Sequence, residues 1–524
     1  MKIRLNIIQL LALGVLAAPI AFSSCSEDKM DAINKNPNNP TDVQAKFILA
    51  DVITSTGFRN VGGDFNTYLS TYVEHEVGVH NQLWNAEHRV NEPSASSTFN
   101  NSWNNIYETI RNARIVSQKC AVGGPQAGNN TTLGMAQILE AYNLALLTDM
   151  YGDVPYSEAF NPLGNKTPKI DKQEELYKTV FELLDAAIEN LPKGDKHVSG
   201  TAASHDLLYN GNATKWIEFA YGLKARYTMR LLKVSSDQQA ALNKVIEFAD
   251  KSFQSAANEA AFNIYGPQNL NPLFDFQWSR AGLAASKSIA DKFISLNDPR
   301  LNRVFVDQDL EQVADIQTGN DSYKLLAENG ENQQTTTFYS TTMFGYAQTA
   351  STQFLSLHEV LFLKAEAMQR LGRSTAQITP VLAAAVKAGI QNAENSVKAA
   401  LTSPTLANYG GITENSKAIT AAEAEAYFDA VVKPLFEGSP LKEIANQKYL
   451  ASFGASGEST EAYNDIRRWK ALGENLIELK NTKKFPLRLP YGSSETTANP
   501  NVESAYGDGQ YVYSENVWWA GGTR

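Results

Sequence analysis

The sequence predicts an all-α, mainly helical protein: tetratricopeptide-like helical hairpins interrupted by long irregular ligand-binding loops. Three observations predict it. Apolar residues recur at steps of three and four in one segment after another, as a single buried helix face requires. Helical segments of about 20 residues follow each other in pairs, which suits stacked hairpins even though no strict repeat of about 34 residues aligns. Two stretches, about 61–98 and 253–352, lose the periodicity and become rich in Asn, Gln, Ser, Thr and aromatic residues.

The elements follow in order. Phe99, Trp103, Ile106, Ile110 and Ala113 line one helix, and Leu139, Tyr142, Leu146 and Met150 the next. Asp171 with Glu174 has the spacing of an N-terminal capping box. It opens a helix that buries Leu176, Val180, Leu184, Ala187 and Leu191, and Pro192 and Gly194 stop it. Trp216, Phe219, Ala220, Leu223 and Tyr227 line a fourth, so Trp103 and Trp216 read as core. Further helices are expected near 354–371, 380–399, 421–436 and 441–453. Residues 485–519 carry Pro486, Pro490, Pro500 and many turn formers, and should wrap the surface irregularly.

The chain has 524 residues, with 46 Lys and Arg against 56 Asp and Glu, a net charge of −10. Such a balance, without a basic block, excludes nucleic acid, whose binding rests on clustered cations facing phosphates. At the N-terminus Lys2 and Arg4 precede a mostly apolar run, 5–22, that Asn6, Gln9 and Pro19 interrupt. The run is too broken for a span of about 20 apolar residues and reads as an export signal over 1–24. Ser23 and Ser24 ahead of Cys25 resemble a lipobox, with Phe22 where Leu is usual; a plain signal peptide with an incidental cysteine is the alternative. Residues 25–45 are polar and proline-rich, a flexible tether, and 46–524 form one helical domain. Acyl chains on Cys25 would hold that domain at a bilayer, each buried methylene contributing about 0.8 kcal/mol. Cys120, the only other cysteine, then has no partner and reads as a small apolar filler.

Catalytic motifs are missing: no phosphate loop, no dinucleotide fingerprint, no nucleophile elbow, no Cys-x-x-Cys. Residues 74–80, EHEVGVH, mimic a zinc helix, but His75 and His80 stand five apart, about 140° around a helix, so no metal is expected. Asp149, Asp153 and Glu158 offer paired carboxylates. The plainer reading is a helix ending at Tyr151, Gly152 as its left-handed cap and Asp153 bonding the turn. Asp465, Arg467 and Arg468 read as internal ion pairs. No catalytic residue and no cofactor are assigned.

A set of ordered blocks carries a resemblance. They are Cys25 with Ser26, Glu27 and Asp28; NPNNPT at 36–41; LTDMYGDVPY at 147–156; Asp171 and Gln173 with the Tyr177 helix; DLLY at 206–209; Trp216; and Ala225 with Arg226. Further on come Asp298, Pro299 and Arg300; His358, Glu359 and Val360 with Ala365, Glu366 and Ala367; QKYL at 447–450; EAYNDIRR at 461–468; PLR at 486–488; Tyr491; Glu495; and Asn499 with Pro500. Together they resemble the SusD/RagB family of outer-membrane nutrient-binding lipoproteins of Bacteroidetes. The resemblance implies a non-catalytic lipoprotein at the cell surface, anchored through Cys25. Its tetratricopeptide-like helices would pack against a SusC-like TonB-dependent transporter and deliver a nutrient oligomer, commonly a glycan and in some members a peptide. An all-helical glycosidase or lyase is the reading from another class.

These blocks are scaffold and do not locate the ligand. A neutral glycan presents weakly polar C–H faces and a rim of hydroxyls, matched by flat aromatic rings beside Asn, Gln, Asp and Arg. Residues 81–85 (NQLWN) and 275–280 (DFQWSR) both offer that mixture. Trp84 and Trp278 are the first candidates, then Tyr339 and Tyr346, with Asn81 and Arg280 as polar partners; Trp84 reads equally well as core. Truncating either tryptophan to alanine is expected to abolish glycan retention without unfolding.

Overall fold

Among the described residues helix begins at Ala45, and the contacts of the chain divide there, into 1–44 and 45–524. The computed structural model describes residues 42–93, 99–161, 163–200, 202–332, 340–507 and 511–523. The export signal, Cys25 and Tyr339 lie outside the described residues.

The first stretch holds α1 (Ala45–Ser55), α2 (Asp64–Tyr72), β1 (Glu76–Gly78) and α3 (Asn81–His88). The helical layers follow: α4 (Asn100–Cys120), α5 (Asn130–Tyr151), α6 (Gln173–Asn190), α7 (Ala213–Arg230) and α8 (Gln238–Lys251). Between them and the next helices lie β2 (Ala260–Phe262), α9 (Pro272–Arg280), β3 (Leu283–Ala285), α10 (Lys287–Ser295), β4 (Phe305–Val306), β5 (Thr341–Thr342) and β6 (Thr352–Leu355). The second helical set is α11 (Leu357–Arg370), α12 (Thr375–Leu401), α13 (Ala421–Tyr427), α14 (Lys433–Gly438), α15 (Pro440–Ala451) and α16 (Ser459–Ala471). Two short helices, α17 (Ser493–Ala498) and α18 (Pro500–Tyr506), interrupt the irregular C-terminal wrap.

Sequential neighbours pack as hairpins: α4 on α5, α5 on α6, α7 on α8, α11 on α12. Every residue of α5 from Thr131 to Tyr151 is buried except Gln137, because α1, α4 and α6 surround it. Among the described residues no helix is long and apolar enough to cross a membrane.

Two expectations need correction. The capping box of Asp171 and Glu174 does not form. Asp171 is held in a backbone bridge to Val154, which turns its carboxylate to the amides of Tyr156 (2.9 Å) and Ser157 (2.8 Å). The first turn of α6 is capped from across the fold instead, Asp153 Oδ1 accepting from the Gln173 amide at 2.8 Å. Nor are the two atypical stretches wholly irregular, since they contain α2, α3, α9 and α10. The helix α2 shows no apolar stripe because Phe65 through Tyr72 are all buried. Its hydroxyls tolerate this by bonding their own helix, Ser70 to the Thr67 carbonyl (2.9 Å) and Thr71 to that of Tyr68 (2.8 Å).

The core joining α5, α7, α11 and α16 is charged. Arg468 meets Glu366 through two bonds (2.6 and 2.7 Å) and Asp465 at 2.9 Å. Arg226 grips Glu359 (2.7 and 2.5 Å), Arg230 pairs with Glu461 and Asp149, and Arg467 donates to the carbonyls of Asp149 (2.7 Å) and Leu487 (2.9 Å). Burial pushes the Glu366 carboxyl up, but Arg468 and Arg370 outweigh it and hold it well below the usual range. The same contest brings Glu461 down to about 2, with Arg226 and Arg230 prevailing over burial. Arg467 and Arg468 are thus structural. Cys120 is buried, and burial pushes its thiol up to about 12.

Candidate ligand-binding cleft

A small ladder joins the two atypical stretches, and bonds from Asn329, Gly330 and Thr342 to Glu76 and Glu87 add to it. β1 pairs antiparallel with β3, Glu76 opposite Ala285 and Gly78 opposite Leu283, and the Val79 amide extends it to the Gly282 carbonyl at 3.0 Å. Because α3 follows β1 and α9 precedes β3, both helices leave the same end of the ladder. A side chain at Gly78 would collide with the Leu83 carbonyl, so the turn into α3 needs glycine. At the facing corners Asn81 (φ 48°) and Ala281 (φ 46°) adopt the left-handed conformation.

Between α2, α3 and α9 lies a cleft of about 850 Å³. Asp64, Thr67 and Tyr68 enter from one face of α2, and Phe276, Ser279 and Arg280, at the same i, i+3, i+4 spacing, from one face of α9. Asn81, Gln82, Leu83 and Asn85 come from α3, with His80 before it, and Asn101 from the first turn of α4. A shallower groove of about 300 Å³ shares Asp64, Asn101, Phe276 and Arg280 and runs on to Arg59 and Asp275.

The lining is polar around two rings. Tyr68 donates to Gln82 Oε1 at 2.8 Å, and Arg280 lies over the Phe276 ring at 5.7 Å. Among the described residues the side chains of Arg280, Asn81 and Asn85 have no hydrogen-bonding partner. Burial raises the Asp64 carboxyl above its ordinary value, partly countered by Arg280 and Asn101. Burial, then Asp64, raise the Tyr68 phenol. One acidic and one basic side chain therefore face each other among neutral donors and acceptors.

The candidates fall in different places. Asn81 and Arg280 line the cleft. Trp278, on the opposite face of α9, is 40% exposed and lies parallel to the buried Phe274 ring, centroids 5.9 Å apart. Trp84 does not line the cleft; it is half-buried, stacked on His88 at 3.9 Å, its indole nitrogen without a partner among the described residues. Tyr346 is half-buried on the turn Met343–Tyr346 and packs against the core. Sequence reasoning missed Asp64, Thr67 and Asn101. Nothing local marks them, since long-range packing, the β1–β3 pairing included, brings them opposite α9.

The decoys are scaffold. His75 is buried, and burial drags its imidazole down to about 3; Nδ1 lies 3.0 Å from Ser459 Oγ, and the ring packs on Tyr449. Asp149 pairs with Arg230, while Asp153 receives Lys172 Nζ (2.8 Å) and the Tyr506 hydroxyl (2.9 Å). Glu158 receives Asn165 Nδ2 at 2.8 Å. Among the described residues no group of three or more His, Cys, Asp or Glu could hold a metal ion.

A family model described as starch-binding and associating with the outer membrane matches residues 37–492. A solved SusD/RagB family protein from Bacteroides thetaiotaomicron is 51% identical, with 92% of this chain and 100% of that one covered and a TM-score of 0.86. A chitin-binding protein (21% identity, TM-score 0.67, 90% and 99% covered) and a SusD homologue from Bacteroides fragilis (18%, 0.66, 91% and 100%) share the fold. No curated protein matches the chain.

Proposed function

This chain belongs to the SusD-like family, whose model spans residues 37–492, and from that premise we propose that it captures a neutral oligosaccharide in the cleft between α2, α3 and α9 and delivers it to a SusC-like TonB-dependent transporter. It does so as a lipoprotein anchored through Cys25 at the cell surface. The observation that carries the reading is the set of donors and acceptors without a partner among the described residues, Arg280, Asn81 and Asn85, set around Phe276 and Tyr68. A sugar ring offers both halves of what this lining lacks: hydroxyls for the polar groups and a C–H face for the rings. The opposed charges of Asp64 and Arg280 favour an uncharged ligand over a uronic or sulfated one. The names of the family model and of the chitin-binding neighbour point the same way.

Affinity electrophoresis in gels containing soluble starch or glycol chitin, followed by calorimetry with the matching oligosaccharides, tests this. Retardation of the wild type is expected. Arg280→Ala should weaken binding about tenfold or more, the ordinary value of a hydrogen bond to a charged group. Failure to bind any glycan, with binding to peptides, would replace the reading by peptide capture. For the glycosidase reading the cleft holds one carboxylate, Asp64, and the adjoining groove adds Asp275. Incubation with polysaccharide is expected to release no product, and chromatographic detection of shortened chains would move the protein to that class.

A further inference from the structure

The helix α9 has a second face with an exposed ring. Phe276, Ser279 and Arg280 point into the cleft, whereas Phe274 and Trp278, four residues apart, share the opposite side. Phe274 is fully buried and Trp278 rests parallel to it at 10° with its outer surface in solvent. Against its edge stands Tyr409, 66% exposed, centroids 5.2 Å apart and planes at 63°. Two large rings left open to water in contact, one a floor and one a wall, form an apolar corner that folding does not use.

The segments that carry the two rings are joined by hydrogen bonds through Gln348 although they come from distant parts of the chain. Asn271, the N-cap of α9, donates its amide to the Gln348 carbonyl at 3.0 Å. The Gln348 side-chain oxygen receives Ser403 Oγ (2.8 Å) and the Thr405 amide (3.1 Å), at the start of the helical turn Pro404–Ala407. The Tyr409 amide (2.8 Å) and the Gly411 amide (2.9 Å) then close on the Leu406 carbonyl, with Gly410 (φ 95°) and Gly411 (φ 76°) making a reversal other residues resist. One buried glutamine thus ties together the two backbone segments that carry the rings, so a ligand resting on them need not bring those segments together.

We propose that Trp278 and Tyr409 form a second sugar subsite outside the cleft, and that the ligand is an oligomer long enough to leave the cleft, cross α9 and rest on this corner. The proposal rests on the glycan reading of the cleft. It follows from continuity, because the two sites are opposite faces of one nine-residue helix. A helix with its side chains is about 10–12 Å across, so a disaccharide does not reach both and a chain of several units does. The corner then makes affinity depend on chain length.

Calorimetry with a homologous ladder from disaccharide to octasaccharide, in whichever of the malto- or chito- series the wild type binds, tests this. Affinity of the wild type is expected to rise about tenfold along the ladder, the scale of one aromatic stacking contact. Tyr409→Ala should abolish that rise and leave the shortest binding member unchanged, and Tyr409→Phe should retain it. Trp278 emission should respond to long members only, a response that Trp278→Phe removes. Arg280→Ala weakens every length alike. Length-dependent gain undiminished in Tyr409→Ala overturns the subsite while the cleft stands. Equal loss at all lengths in Tyr409→Ala overturns it too, by placing the ring in the cleft itself. No binding of either ladder by the wild type overturns both.

Discussion

Arg468 is 1% exposed and holds Glu366 through two parallel hydrogen bonds, with Asp465 on its remaining edge. Arg280 lines the cleft and, among the described residues, has no hydrogen-bonding or ion-pairing partner; its guanidinium lies over the Phe276 ring. The core arginine has its charge answered by the chain, at the cost of desolvating every member of the network. The cleft arginine has donors that no described residue takes up, and the proposed function gives them to the ligand. Both sit beside aromatic rings, Trp469 at 5.3 Å and Phe276 at 5.7 Å, so the ring is not what separates scaffold from site. The separating feature is whether the polar inventory closes.

The largest effects should come from breaking the closed side. Arg468→Ala takes the two-bonded partner from buried Glu366, leaving it Arg370 (2.8 Å) and the Trp469 indole (3.1 Å), and leaves Asp465 to Lys448 alone (2.6 Å); it should cost about 3–5 kcal/mol in urea unfolding. Arg280→Ala should stay within about 0.5 kcal/mol of the wild type while losing ligand affinity. Equal destabilisation by the two would erase the distinction.

Next in size are the pH effects, and they run in opposite directions. Glu461 has a folded-state value of about 2 against an ordinary 4.5, set by burial and the prevailing Arg226 and Arg230. Its contribution is therefore fully present above pH 4.5 and lost as pH falls toward 2. Glu76, on the ladder that assembles the cleft, is pushed by burial up to about 8, with the Thr342 hydroxyl at 2.9 Å pulling back. Its protonated form supports folding fully below pH 4.5, and that support is lost as pH rises through about 8. Stability should decline across that window by up to about 1.4 kcal/mol per pH unit per group. Glu76→Gln, which keeps an acceptor for Thr342, should flatten the decline and leave the variant the more stable form at pH 8. An unchanged slope in thermal melts would show that Glu76 is ionised in the fold.

The same division explains what the sequence discloses. The helices α4 to α7 are legible because each sets apolar residues on a regular face, and the family follows from ordered blocks such as LTDMYGDVPY, whose Asp149 and Asp153 turn out to be core partners. The helix α2 hides because it is buried all round, so its pattern has no contrast. Within the cleft, Asn81 and Arg280 are visible as polar residues beside aromatics, but Asp64 and Asn101 join them only through long-range packing that sets α2 and α4 opposite α9. Tyr409 gives no signal at all, since its exposure and its contact with Trp278 are both products of long-range packing.

The smallest expected effect concerns Trp84, which sequence reasoning places equally in site and core. Its ring stacks on His88 at 22°, its backbone carbonyl accepts from His88 Nδ1 at 2.7 Å, and its indole nitrogen is buried without a partner among the described residues. Trp84→Phe keeps an aromatic face on His88 and removes a buried donor that costs about 1–3 kcal/mol unpaired, against the apolar area lost with the smaller ring. The two terms nearly cancel, so stability should change by less than about 1 kcal/mol. Because the ring does not line the cleft, affinity for the oligosaccharide ladder should stay within twofold of the wild type. A loss as large as that of Arg280→Ala would bring Trp84 into the open inventory, and would mean that α3 turns when the ligand arrives.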